Sequence, residues 1–199
     1  MNHPDHDRKG RRLSASMVCL AAGLSLSGCG SSVSPGPAAA IEGVAFPTVE
    51  GTSLNNRSFQ LPAGFDAPYN VLLVAFLREQ QADVNTWLSA AADIAADHAN
   101  VEYYELPTIS SGWTIARGWI DNGMRSGVQA FAARERTITL YTDTARFREL
   151  LGIDGPGQIW IGLVDRGGKV YWSTRGRATP ETIAQLQREV RTLASPAAP

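Results

Sequence analysis

Residues 158–174 read QIWIGLVDRGGKVYWST. The first eight form a nearly unbroken apolar run ending in Asp165, the pattern of a strand buried on both faces. Arg166-Gly167-Gly168 then supplies the small residues a tight turn needs. KVYWST returns beside the first strand, so the stretch predicts a β-hairpin. Directly after it, Thr179-Pro180-Glu181 places an N-cap, a first-turn proline and a first-turn acid in the order that starts a helix. Ile183, Leu186, Val190 and Leu193 recur as that helix's buried stripe. A chain closing with a hairpin and a capping helix differs from a doubly wound sheet, whose neighbouring strands are parallel and joined by crossover helices.

Working upstream, residues 136–142 (RTITLYT) alternate and are rich in β-branched side chains, which predicts a strand. Asp143 can then cap a short helix, TARFRELL, over 144–151. Residues 113–127 suggest a helix interrupted at Asp121-Asn122-Gly123. Residues 101–106 (VEYYEL) predict a strand closed by Pro107. Val84, Trp87, Leu88, Ala91, Ile94, Ala95 and His98 recur at spacings of three and four, predicting a helix over about 80–98 with Trp87 in its core-facing stripe. NVLLVAFL, 70–77, is another continuous apolar strand. Residues 43–65 mix Pro, Gly and Asn with short β-prone pieces and suggest an N-terminal arm or hairpin. The order is arm, then β-α-β-α-β-α-β-β-α, with parallel strands joined by helices. Residues 42–195 thus form one α/β domain and 196–199 a disordered tail.

The beginning of the chain reads differently. Arg8, Lys9, Arg11 and Arg12 precede a short apolar stretch that ends in Leu26-Ser27-Gly28-Cys29. A charged start, a short apolar segment and small residues before a cut are the marks of a signal peptide, assigned here to 1–28. The ending resembles a bacterial lipobox, in which the Cys thiol takes a diacylglycerol and the new N-terminus is acylated with a chain such as palmitate. Cys29 is therefore the expected lipid-attachment residue, and several acyl chains at one position give stable anchoring where one would not. Residues 29–41, rich in Gly, Ser, Pro and Ala, make a flexible tether. The expected location is the bacterial cell envelope, lipid-anchored and facing the periplasm. Gly30, in place of an inner-membrane-retaining Asp, favours the outer membrane over the inner.

The chain has two Cys and three His. Cys19, His3 and His6 fall in the presequence and Cys29 is the lipid site, which leaves a domain with no thiol and with His98 alone. Thiolate chemistry, disulfides and a Cys/His zinc site are thereby excluded from the expectation, and no cofactor or metal is called for. Removing the four basic and two acidic side chains of 1–28 leaves a net charge of −3, which argues against nucleic acid as a partner. No P-loop, GxGxxG, HExxH or GxSxG occurs.

The element order resembles the thioredoxin fold, a three-layer α/β/α arrangement whose central mixed sheet ends in a β-hairpin and C-terminal helix. The extra helix and strand over 113–142, together with FPTVEGTSL (46–54) and the later Leu61-Pro62, resemble its peroxiredoxin and thiol-disulfide reductase branch. That branch carries a Cys pair just after the active-site strand and a cis-proline before the hairpin. Here the first position reads Arg78-Glu79-Gln80-Gln81-Ala82-Asp83-Val84, and the second is Gln158 or Ile159. VAFLREQQADVNTWL, YYELPTIS, IDNGMRSGV, RTITLYTD and LVDRGGKVYW further resemble the mitochondrial factor that assists assembly of the ATP synthase proton-channel sector, and its bacterial relatives. That family is thioredoxin-like without the Cys pair. The resemblance implies a redox-inactive protein-binding or assembly factor (a chaperone), with a protein partner such as a membrane complex under construction.

Arg78, Gln80 and Gln81 stand where this fold presents its reactive loop, at an electropositive helix N-terminus suited to an anion or a peptide carboxylate. Their other reading is a solvated first turn. Glu105 ends a strand at the edge where such sheets bind ligands. It can pair with Arg125 across the site, though Asp121 and Arg125 are also at i, i+4 spacing. Trp113 and Trp119 flank a polar, Gly-bearing segment and would be binding anchors if exposed. The alternative is a non-thiol enzyme or small-anion-binding protein using Arg78 with Glu105 or Asp143. A binding module calls for a shallow, aromatic-rimmed groove, and an enzyme for an enclosed polar pocket.

Overall fold

The structure, a computed structural model, describes residues 43–112, 123–124 and 126–194. The strands are β1 (Val49–Ser53), β2 (Ser58–Leu61), β3 (Tyr69–Ala75), β4 (Val101–Ser110), β5 (Ile138–Thr142), β6 (Trp160–Asp165) and β7 (Val170–Arg175). The helices are α1 (Gln81–Asp97), α2 (Phe131–Arg136), α3 (Thr144–Leu150) and α4 (Pro180–Ala194). The strands form one mixed sheet in the order β2-β1-β5-β4-β3-β6-β7. β3, β4 and β5 run parallel, while β6 and β7 are antiparallel to their neighbours, as the hairpin reading requires.

β3 shows why its sequence is unbroken in apolar character. Val71 and Leu73 face a core completed by Val84, Trp87 and Ile94 of α1 and by Leu186 and Val190 of α4. Leu72 and Val74 face the opposite core, with Phe46, Phe65, Phe147 and Trp160. Each residue of β3 therefore lands in an interior whichever way it points. The layers are α1 and α4, the sheet, and then α3 with the N-terminal segment.

The arm is a hairpin of β1 and β2 that joins the sheet through β5, with Gly51 opposite Leu140. A Cβ at Gly51 would lie 2.5 Å from the Ile138 Cγ2 and 2.7 Å from the Leu140 Cδ2, so the close approach of β1 requires glycine there. Beyond β2 the chain doubles back, and the Gly64 N–H donates to the carbonyl of Gln60 at 2.7 Å. At the other end of the sheet Ala45 bridges Lys169 antiparallel, and the Phe46 N–H donates to the Gly168 carbonyl at 2.8 Å. The described chain thus begins beside the β6–β7 turn.

Two expectations are corrected, and one element is new. Pro107 does not close β4, which continues to Ser110. Pro107 is the last residue in register with β3, while the β5 side is bridged already at Glu105–Thr137 and paired from Thr108 on, so the strand runs through the proline where its two pairings overlap. His98 is not on the helix stripe: α1 ends at Asp97 and His98 is extended, with φ −134° and ψ 101°. The short helix α2 was not foreseen, because six residues are too few to show a period. Trp87 is fully buried as expected, and its indole N–H donates to the Gly176 carbonyl at 2.9 Å. Gly176 has φ +84°, the left-handed backbone that favours glycine, and this aims its carbonyl at the indole. The Asp143 carboxylate caps α3 by accepting from the backbone N–H groups of Ala145 and Arg146 at 3.0 Å each.

Candidate functional site

The carboxyl ends of β3 and β4 and the amino end of α1 meet at one edge of the sheet. The chain leaves β3 through Phe76 and Leu77, makes a turn of 3₁₀ helix at Arg78–Gln80, and enters α1 at Gln81. Gln80 governs this passage. It is 3% exposed, and its Oε1 accepts from the backbone N–H groups of Phe76 at 2.8 Å and Leu77 at 3.1 Å. A Gln at the third position of a helical turn reaching back to the cap N–H satisfies donors the turn itself leaves open. Its Nε2 donates to the carbonyl of Pro156, in the loop that precedes β6. One carboxamide thus ties together the two loops that border the edge, and the side chain is directed inward rather than toward a ligand.

Arg78 is exposed, its carbonyl accepts from the Gln81 N–H, and its side chain has no hydrogen-bond or ion-pair partner among the described residues. Gln81 is exposed too, but its Nε2 donates to Asn85 Oδ1 and to Glu105 Oε2, both at 3.1 Å. Glu105 is half-buried on β4 beneath the start of α1. Desolvation pushes its carboxyl above the ordinary carboxylate value, and the hydrogen bond from Gln81 opposes that rise. Asp83, in the first turn of α1, pairs with Arg177 at 2.8 Å. Three sequence-predicted residues, Arg78, Gln81 and Glu105, are therefore grouped at this edge. Asp143 is occupied as a helix cap. Trp113, Trp119, Arg125 and Cys29 lie outside the described residues, as does the Glu105–Arg125 pairing.

Features absent from the sequence reading surround the same edge. Leu77 and Leu150 are each 39% exposed, and Phe76 packs edge-on against Phe147 with ring centroids 6.5 Å apart. The Arg148 guanidinium lies 5.6 Å from the centroid of the Phe76 ring. Toward the amino end of β4, away from this edge, Arg136 at the end of α2 makes a second cation–ring pair, 5.3 Å from the Tyr103 ring centroid, and grips Glu102 at 2.8 and 2.9 Å. No spacing rule in the sequence marks Arg148, because its partner Phe76 is seventy-two positions away. Phe131 at the start of α2 is the most exposed large apolar side chain among the described residues, at 73%.

The chemistry open to this edge is limited. It offers a cation, the Gln81 amide, a carboxyl held above its ordinary range, and apolar side chains. No thiol is present, since the chain has no Cys beyond residue 29. No group of three or more metal-ligating side chains occurs among the described residues. Two depressions among the described residues are open to solvent. One, of ≈ 350 Å³, is lined by Arg148, Glu149, Ile153 and Asp154; the other, of ≈ 320 Å³, lies over β1 and β2 beside Phe59 and Tyr141. Neither includes Arg78, Gln81 or Glu105. No helix among the described residues is long and apolar enough to cross a membrane.

Comparison with known proteins places the fold. No family model matches the chain, and no curated protein matches it. Solved structures do. BsSco, a member of the Sco family of cytochrome c oxidase assembly proteins, superposes with a TM-score of 0.53 at 10% identity, covering 77% of this chain and 95% of its own. An Aquifex aeolicus VF5 protein assigned to electron transport superposes with a TM-score of 0.54 at 8% identity, covering 75% of this chain and 96% of its own. The exposed lipoprotein thioredoxin of Streptococcus pneumoniae strain TIGR4 has a TM-score of 0.48 at 15% identity over 72% of this chain and 99% of its own. The fold is thioredoxin-like.

Proposed function

We propose that this chain is a lipid-anchored, redox-inactive thioredoxin-like protein that binds another protein and serves as an assembly factor in the bacterial envelope. The observation that carries the reading is the Gln80 clamp. At the place where this fold presents its dithiol loop, the chain has a buried carboxamide joined to both bordering loops, and no thiol. A loop fixed in this way presents a constant surface, and a preorganised surface binds at lower entropic cost than one that must be ordered. Arg78, Gln81, Leu77 and Leu150 give that surface a cation, an amide and two apolar side chains, a combination suited to a peptide segment.

The anchor is Cys29, with residues 30–41 as the rest of the tether. Although the Sco-family protein of similar shape is described as an assembly protein for cytochrome c oxidase, its likeness extends to the scaffold alone. The assembly role here, with a membrane complex such as ATP synthase as the client, rests on the sequence resemblance and the clamped edge together.

The test is a pull-down of C-terminally tagged protein from detergent-solubilised membranes after mild crosslinking, read by mass spectrometry. Recovery of subunits of one membrane complex, lost in the Arg78→Ala, Gln81→Ala double variant, supports the reading. Recovery of nothing above background, together with a rise in melting temperature on adding a small anion, replaces it with a ligand-binding function.

A further inference from the structure

The sheet has two outermost strands, β2 and β7. β7 is bonded on one side only. Its main chain pairs with β6, and no other backbone group among the described residues hydrogen-bonds the main chain of Val170–Arg175. The ladder is irregular between Leu163 and Val164, next to the turn, while Trp172–Arg175 pairs residue for residue with Trp160–Leu163. In an antiparallel ladder alternate residues turn their N–H and C=O outward, so this regular stretch presents unmade main-chain bonds to solvent.

The strand is already ordered through its faces. Val170 is fully buried. Tyr171 packs edge-on against Tyr69 with ring centroids 5.8 Å apart, and Trp172 against Trp87 at 6.2 Å. The Tyr171 hydroxyl donates to Asp165 at 3.1 Å. A segment adding to such an edge orders itself but does not have to order the edge.

Both ends of β7 carry a cation. Lys169, just before the strand, is exposed, with its Nζ 4.7 Å from the Tyr171 ring centroid. Arg175 closes the strand, donates to the Gly155 carbonyl at 2.9 Å, and keeps a buried Nε without a partner. Neither pairs with a carboxylate among the described residues. Residues 170–175 contain no acid, and the Asp165 carboxylate is occupied by the N–H groups of Gly167 and Lys169 and by the Tyr171 hydroxyl. Two copies of β7 paired antiparallel over their full length would bring each Lys169 beside the other copy's Arg175. Like charges would then meet at both ends, which destabilises such a pairing.

We propose that the outer edge of β7 is a second contact surface, at which an extended, acid-bearing segment of the partner protein adds to the sheet as a further strand. The inference rests on the protein-binding reading above and names the chemistry of the partner. Main-chain bonds supply attraction that is tolerant of sequence, and carboxylates set toward Lys169 and Arg175 supply the choice. The surface adjoins the clamped edge, because Arg175 holds Gly155 and Gln80 holds Pro156 of the same loop. One partner can therefore reach both.

The probes are two short synthetic peptides of alternating Thr and Val, one with Asp at both ends and one with Lys. Binding to purified full-length protein in detergent micelles is read by fluorescence anisotropy, and its place by hydrogen exchange. The acidic peptide should slow exchange within Val170–Arg175 and bind about tenfold more tightly than the basic one. Lys169→Glu should narrow that preference. Ser173→Pro and Thr174→Pro are made together as separate proteins, because neighbouring residues face opposite ways and one of the two removes only an outward N–H. The one that melts like wild type should lose the acidic peptide. Equal binding of both peptides, unchanged exchange in Val170–Arg175, or full binding by the folded proline variant overturns the proposal. A concentration-dependent dimer in light scattering that protects the same amides assigns the edge to a second copy and also overturns it. Peptide failure alongside a successful pull-down of one membrane complex removes this edge and leaves the protein-binding reading intact. A pull-down that recovers nothing removes that reading, and the partner assigned here with it.

Discussion

The Gln80 side chain donates to the carbonyl of Pro156 while accepting from the backbone N–H groups of Phe76 and Leu77. Residues seventy-six positions apart in the chain are joined at the mouth of the candidate site by a single side chain. Gln80→Ala removes all three hydrogen bonds and leaves buried groups without partners, which should lower unfolding free energy by about 2–4 kcal/mol in urea titrations. Gln80→Glu keeps the acceptor and loses the donor, and should fall between the two. A Gln80→Ala protein as stable as wild type would show that the clamp is not what holds the loop.

Gly51→Val should be among the most damaging changes on the arm. The new side chain meets Ile138 and Leu140, and forcing volume into a packed interior costs about 1–3 kcal/mol. The matched control is Gly157→Ala, where a Cβ meets nothing within 4 Å. Thermal melts of the two should differ clearly; equal melts would mean that β1 moves away from β5 at no cost.

Two carboxylates predict opposite pH slopes. The hydrogen bonds from Arg57 hold Asp66 below its ordinary value of 3.8, helped by the Tyr104 hydroxyl and opposed by partial burial. Its contribution is present above that ordinary value and is lost as pH falls through the lowered one. Asp66→Asn should therefore be less stable near neutrality and flatten the acid limb, by less than about 1 kcal/mol because the pair is largely exposed. Glu105 is pushed above 4.5 by burial, so its native state holds its proton longer. That contribution is present below 4.5 and is lost as pH rises through the raised value. Glu105→Gln should be more stable than wild type at neutral pH, with the gap closing toward pH 4. Denaturation midpoints measured across pH 3–8 check both signs.

Cys29→Ser should release the protein from membranes into the soluble periplasmic fraction. The anchored form should give no reaction with a thiol reagent under denaturing conditions and no turnover in an insulin-reduction assay. Any thiol-dependent turnover by purified protein would remove the redox-inactive reading.

Much of the fold was legible because its strongest signals are local. The apolar run of β3, the Arg166-Gly167-Gly168 turn and the Thr179-Pro180 helix start each depend on neighbours in sequence. The parts that were not legible depend on distant partners. β4 continues past Pro107 because β5 pairs with it over Thr108–Ser110, and nothing within VEYYELP announces that partner. The order of elements places Gln81 and Glu105 near each other, and the structure joins them by a hydrogen bond at 3.1 Å. The inward turn of Gln80 was not visible, since an amide written in sequence looks the same whether it faces solvent or a backbone carbonyl.

The turn that doubles back after β2 also shields a margin of the sheet. An open sheet edge invites strand-to-strand association. β2 is the outermost strand on its side, and the Gly64 N–H already occupies the Gln60 carbonyl, so that this edge offers a second strand one acceptor fewer.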